Sequence, residues 1–291
     1  MKKNMTKTNS ENCSKSLKRL SGKIVVVTGG AQGFGKGIAE LLAKEGASVV
    51  IADLNYEGAA TVAKQIEEEN GKGTAFAVRT DVTDEASVAD MADAAVSRYG
   101  CIDVLISNAG VLKAGGLDDL DLKSFEFVTK VNYSAYFLCV KCVSRIMKKQ
   151  HAANPAKFYD IIQINSKSGI TGSNKNFAYS GSKFGGIGLT QSFALELAPY
   201  NIKVNSVCPG NLMDGPLWTD PEKGLLVQYL RSGKVPGAKT VEDVRRFYDS
   251  KVPLGRPCRE IDVVRAILYI IEQEYETGQA LPVTGGQNML K

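Results

Sequence analysis

The chain has 291 residues, 44% of them hydrophobic, which is enough for one large α/β domain with a buried core. The net charge of +5 comes from the first stretch, where Lys2, Lys3, Lys7, Lys15, Lys18 and Arg19 face a single acid, Glu11. The rest of the chain is balanced in sign, which argues against a nucleic-acid surface, and no apolar run reaches the roughly 18 residues of a membrane span.

Residues 1–20 lack apolar periodicity and the apolar core and cleavage site of a secretory signal. They read as a disordered basic tail, with a docking arm as the competing reading. The six cysteines, without a signal, read as free thiols in a reducing cytoplasm. Cys139 and Cys142 share one face of the apolar stretch Val131–Met147 and read as helix packing. His151 is the one histidine and reads as a surface loop residue. A Ser-His-Asp triad and a multi-histidine metal site are therefore disfavoured, and no metal is expected.

From residue 21 to 291 the chain alternates strands and helices. Ile24–Thr28 predicts a strand, Phe34–Lys44 a helix, Ser48–Ala52 a strand and Tyr56–Glu69 a helix. Thr74–Arg79, Asp103–Ser107, Tyr159–Asn165, Ile202–Val207 and Gln279–Val283 continue the strands. Asp84–Arg98, one long helix over Asp121–Lys148, Ala178–Ala198 and Glu260–Ile271 continue the helices. Apolar strands separated by helices mean a parallel sheet covered on both faces, a single doubly wound domain with its crevice at the strands' carboxyl ends. The Pro/Gly-punctuated stretch at 209–257 is too long for a plain connection and predicts a lid over that crevice.

The glycine turn Gly29-Gly30-Ala31-Gln32-Gly33-Phe34-Gly35 joins the first strand to the first helix. Glycine lets backbone approach a pyrophosphate, and the helix N-terminus favours the anion; a tight turn without a ligand is the alternative. Asp53 closes the second strand, where an acid can bond the adenosine ribose hydroxyls and repel a 2′-phosphate, favouring NAD over NADP. Asp81-Val82 ends the third strand and could hold the adenine, or simply form a turn. Asn108-Ala109-Gly110 ends the fourth, where backbone should pass the cofactor or merely turn.

Tyr179 and Lys183 stand four residues apart at the head of a helix, so phenol and ammonium share one face. Ser166 follows a buried strand upstream. A hydroxyl, a phenol and an ammonium converging on one point suit proton transfer to or from an alcohol oxygen. A nearby ammonium and an oxidised nicotinamide would both favour the phenolate, lowering the phenol toward working pH.

In this order the glycine turn, Asp53, Asn108-Ala109-Gly110, Asn132, Ser166, Tyr179-x-x-x-Lys183 and Pro209-Gly210 resemble the short-chain dehydrogenase/reductases. That resemblance implies a seven-stranded sheet, a homotetramer and an Asn132-Ser166-Tyr179-Lys183 tetrad. In it Asn132 anchors a water linking Lys183 to solvent, and Lys183 also holds the nicotinamide ribose. Many members place a Thr shortly after Pro-Gly; Asn211-Leu212-Met213-Asp214 stands here instead, which puts cofactor contacts from this loop in question.

Segments such as Ile161–Gly169, Lys183–Gly186 and Val283–Gln287 are similar to a subgroup that interconverts a polyol phosphate and a ketose phosphate with NAD. A phosphosugar needs cations, and Lys113, Lys167 and Lys175 could face the crevice, with Arg231 or Arg256 as lid alternatives and solvated lysines as the bland reading. An unphosphorylated polyol or sugar acid is the competing substrate class. A dinucleotide-sensing regulatory protein is the non-enzyme alternative, which the intact tetrad argues against.

Overall fold

The computed structural model describes residues 18–289. The tail expectation for residues 1–17 lies outside the described residues. Residues 18–20, which composition assigned to the tail, belong to the body: Leu20 is 1% exposed, and Arg19 pairs with Glu272 at 2.6 Å. A leucine ending a basic run carries no periodicity of its own, so composition misplaced that boundary.

Seven parallel strands form one sheet in the order β3-β2-β1-β4-β5-β6-β7. They are β1 Ile24–Thr28, β2 Ser48–Asp53, β3 Ala75–Arg79, β4 Val104–Ser107, β5 Tyr159–Ile164, β6 Ile202–Pro209 and β7 Ala280–Val283. Side chains alternate across the sheet, so Val25 and Val27 enter one core and Val26 the other. The first core packs under α1 Gly33–Lys44, α2 Tyr56–Asn70 and α10 Glu260–Glu272. The second packs under α3 Glu85–Tyr99, α5 Ala135–Ala153 and α6 Phe177–Leu197. Cys139 and Cys142 lie on α5 in this second core. The chain changes face between β3 and β4, which opens the crevice between the carboxyl ends of β1 and β4.

The long helix expected over Asp121–Lys148 is not continuous. It is α4 Leu122–Thr129, a π-turn at Lys130–Ser134, and α5. Apolar spacing does not register one inserted residue, so the break is invisible to periodicity. The polar end of α5 runs on through His151, which stands edge-on to Tyr200 at 6.1 Å rather than in a loop.

Between β6 and α10 the chain forms α7 Pro216–Thr219, α8 Leu225–Arg231 and α9 Val241–Asp249. A capping box between Thr240 and Asp243 starts α9. These helices share a small core of their own around Trp218, Tyr229, Val244 and Tyr248, and Tyr179 of α6 packs against it. Among the described residues no helix is long and apolar enough to cross a membrane.

Candidate active site

The glycine turn is built around close backbone contacts. Gly29 and Gly33 hold φ of +64° and +55°, the left-handed region that side chains disfavour. A Cβ on Gly35 would lie 2.0 Å from the Gly29 carbonyl and 2.5 Å from the Asn108 amide nitrogen. No side chain caps α1, and its first turn carries no acid, so its backbone N–H groups are open to an anion. The Asp53 carboxylate accepts from the Ala31 N–H at 3.0 Å and the Asn55 N–H at 2.9 Å, which sets it beside the same turn.

Asn108 serves this turn from behind. Its Nδ2 donates to the Thr28 and Gly29 carbonyls at 2.9 and 3.0 Å, and its own N–H donates to the Thr28 hydroxyl at 3.0 Å. The Asp81 Oδ1 accepts from the N–H and hydroxyl of Thr83, and those bonds hold its carboxyl below the usual range. One oxygen of Asp81 therefore forms the turn. Val82 lines a small cleft with Thr28, Asn132 and Lys183. Gly110 passes Asn132 and Lys183 so closely that a Cβ there would stand 3.4 Å from Oδ1 and 3.8 Å from Nζ. Across the crevice β6 ends at Pro209, and the Gly210 N–H donates to the Val283 carbonyl at 2.9 Å. An uncapped helix, a cradle closed to any Cβ and a carboxylate at the end of β2 together fit a dinucleotide.

Tyr179 is the third residue of α6, and Lys183 lies one turn further on. Lys183 is only 4% exposed, its Nζ donates to the Ile164 carbonyl at 2.9 Å, and it stands 5.7 Å from the Tyr179 ring centre. Ser166 lies two residues past the end of β5. Its hydroxyl accepts from the Ser168 N–H at 3.1 Å and faces the Tyr179 phenol, which it lowers against the effect of burial. The Asn132 side chain is bonded at both ends: Oδ1 accepts from the Val111 N–H at 2.8 Å, and Nδ2 donates to the Val111 carbonyl and the Ser182 hydroxyl. It ties the turn after β4 to α6.

Burial governs the charges here. It pulls the Lys183 ammonium down to about 8. It pushes the Tyr179 phenol above its ordinary value, against the opposing Ser166 hydrogen bond. The expected lowering joins the ammonium to an oxidised nicotinamide; among the protein's own groups burial acts the other way, because both groups lose water and both neutral forms gain. Cys208, near the end of β6, is a site neighbour that the motifs do not mark; burial holds its thiol up at about 12, so it stays neutral.

The cations sort themselves by partner. Lys175 sits at φ +55° and donates its ammonium to the Ser232 carbonyl, and Lys113 is exposed. Arg256 is held by Asp262 at 2.6 and 2.8 Å, and Arg231 donates to the Glu222 carbonyl at 3.3 Å. Lys167 instead lies over the Tyr248 ring at 5.7 Å, beside Lys234 and Lys251, two lysines of the stretch 209–257 that sequence reasoning did not propose for the phosphate.

The fold and site define a nicotinamide-dinucleotide-dependent oxidoreductase acting on CH–OH groups. Residues 23–220 match the short chain dehydrogenase family, and the chain belongs to it. The sorbitol-6-phosphate 2-dehydrogenase of Escherichia coli (strain K12) is 39% identical over 270 residues, 92% of this chain and 99% of that protein. The crystal structure of sorbitol-6-phosphate 2-dehydrogenase SrlD from Erwinia amylovora superposes with a TM-score of 0.82 at 41% identity, covering 92% of this chain and 100% of that one. The 3-ketoacyl-(acyl-carrier-protein) reductase of Brucella melitensis, solved with NADH, gives a TM-score of 0.77 at 27% identity, covering 93% and 100%.

Proposed function

We propose that this enzyme interconverts D-sorbitol 6-phosphate and D-fructose 6-phosphate with NAD. The observation that carries the chemistry is the convergence of Ser166 and Lys183 on Tyr179 beneath the aromatic lid. In the oxidising direction the Ser166 hydroxyl hydrogen-bonds the substrate oxygen, and Tyr179 takes the hydroxyl proton as general base. In the reducing direction Tyr179 returns that proton as general acid. Lys183 holds the nicotinamide ribose and stabilises the phenolate; Asn132 positions α6 through Ser182. Gly29, Gln32, Gly33, Phe34 and Gly35 hold the pyrophosphate, with Asp81, Val82, Asn108, Gly110, Pro209 and Gly210 completing the cofactor's walls. The bound cofactor supplies the hydride acceptor and, when oxidised, a positive charge that favours the phenolate.

The relatives' sorbitol-6-phosphate activity and Lys167 directly beside Ser166 support a phosphorylated substrate. The test compares kcat/KM for D-sorbitol 6-phosphate with that for free sorbitol. Loss of even one charge-assisted contact predicts about a tenfold preference or more for the phosphate; equal values would remove the phosphate from the reading. For the cofactor, wild-type enzyme should prefer NAD, and Asp53→Ala should narrow that preference by about tenfold in kcat/KM through loss of the ribose contact and of repulsion. A preference that does not move would dismiss Asp53 as its source. A homotetramer belongs to the same reading, because exposed Phe125, Phe127 and Phe137 on α4–α5 and Phe184 and Leu195 on α6 leave apolar surface to cover.

A further inference from the structure

We propose that Lys167, Lys234 and Lys251 together form the seat for the substrate's phosphate group. The inference rests on the polyol-phosphate reading and assigns it to residues, two of which the sequence analysis did not propose for the phosphate.

Three separate segments bring these lysines together. Lys167 comes from the turn after β5, Lys234 from the turn after α8 and Lys251 from just past α9. Each ammonium lies over an aromatic face: Lys167 over Tyr248 at 5.7 Å, Lys234 over Tyr229 at 4.4 Å and Lys251 over Phe247 at 4.1 Å. Such faces hold a cation in place without neutralising it. Lys234 also donates to the Ser173 hydroxyl at 3.1 Å and, with the Asn176 amide turned oxygen-inward, to Asn176 at 2.8 Å.

No carboxylate acts on the half-buried pair Lys167 and Lys234. Burial, then Lys251, bring Lys167 down to about 8. Burial, then Lys167 and Lys251, bring Lys234 down to about 7. Two half-buried cations and the exposed Lys251 repel one another, a cost that structural lysines avoid by pairing or by reaching solvent. A phosphate dianion is the partner that relieves it, accepting several charge-assisted hydrogen bonds at once.

The position suits the reaction. Lys167 adjoins Ser166, and Asn176, which meets Lys234 and the Tyr229 hydroxyl, is three residues before Tyr179 on the same chain segment. Tyr229 and Tyr248 stand 5.4 Å apart and bridge the lysines. The seat is therefore on the lid side of Tyr179, away from Asp53 and the glycine turn, so it addresses substrate and not the dinucleotide.

Lys251→Gln and Lys234→Gln test this. Lys251 is exposed, so its replacement leaves the fold intact, and a melting curve checks Lys234. KM for D-sorbitol 6-phosphate and the inhibition constant of inorganic phosphate are measured with KM for NAD. Each variant should raise the first two about tenfold or more and leave the third unmoved. Lys251→Arg, which keeps the charge, should restore most of the loss. Unchanged phosphate inhibition and substrate KM in both variants would overturn the seat, even if wild-type enzyme prefers the phosphorylated polyol. Conversely, if D-sorbitol 6-phosphate is not oxidised but inorganic phosphate binding still weakens in the variants, the seat stands and the substrate reading falls.

Discussion

Tyr179→Phe should lower turnover by about 10²–10⁴-fold while leaving NAD binding intact, the loss expected when a positioned proton acceptor is removed. The change deletes one oxygen. The ring keeps its packing against the small core around Trp218 and Tyr248, and Lys183 keeps its bond to the Ile164 carbonyl, so the surroundings are undisturbed. Because burial holds the phenol above its ordinary value, oxidation by the wild-type enzyme should quicken as pH rises and the phenolate forms, and carbonyl reduction should slow. Titration of NAD by fluorescence, beside steady-state rates in both directions, separates the two effects. Turnover close to wild type would dismiss Tyr179 as the proton carrier. Lys183→Met should behave differently, weakening both NAD binding and turnover, because the proposed mechanism gives one ammonium both the ribose and the phenol.

The sheet was legible because five of its seven strands are short, largely buried runs bounded by turns, and parallel burial on both faces makes such runs continuous. The glycine turn and the Tyr179–Lys183 pair were legible because their chemistry lies in local spacing. What spacing does not carry was missed. The π-turn at Lys130–Ser134 changes hydrogen bonding without changing the apolar pattern. Lys234 and Lys251 lie far along the chain from Lys167 in a stretch punctuated by Pro and Gly, and only the fold brings them together. Lys175 was chosen for its closeness to Tyr179 in sequence, but its ammonium turns to the Ser232 carbonyl. The direction of the Tyr179 shift also needed the fold, because desolvation depends on what covers a group and not on its neighbours in sequence.

Lys203→Met should be among the most destabilising single changes in the body, costing about 3–5 kcal/mol by leaving a buried carboxylate unpaired. Lys203 and Asp160 are register partners on β6 and β5, 4% and 2% exposed, and their charged atoms meet at 2.9 Å. Burial pushes the Asp160 carboxyl up and Lys203 opposes it, so removing the lysine strands an acid in the core. The two partners are not equivalent. Lys203 also donates to the Ile270 and Gln273 carbonyls at 2.5 and 2.9 Å, closing the end of α10, so Asp160→Asn leaves the ammonium with other acceptors. Lys203→Met should therefore lower Tm by about 6–20 °C, taking about 2–4 °C per kcal/mol, and Asp160→Asn should lower it less. Adding Asp160→Leu to Lys203→Met should recover part of the loss, because the orphaned charge is gone. A Lys203→Met protein that melts like wild type would show that the pair carries no stability. The consequence reaches the crevice, because β5 and β6 run from this pair at one end of the sheet to Ser166 and Gly210 at the other. A slip in their register would move the Ser166 hydroxyl away from Tyr179, so activity lost with Lys203→Met should track melting and return with the double variant.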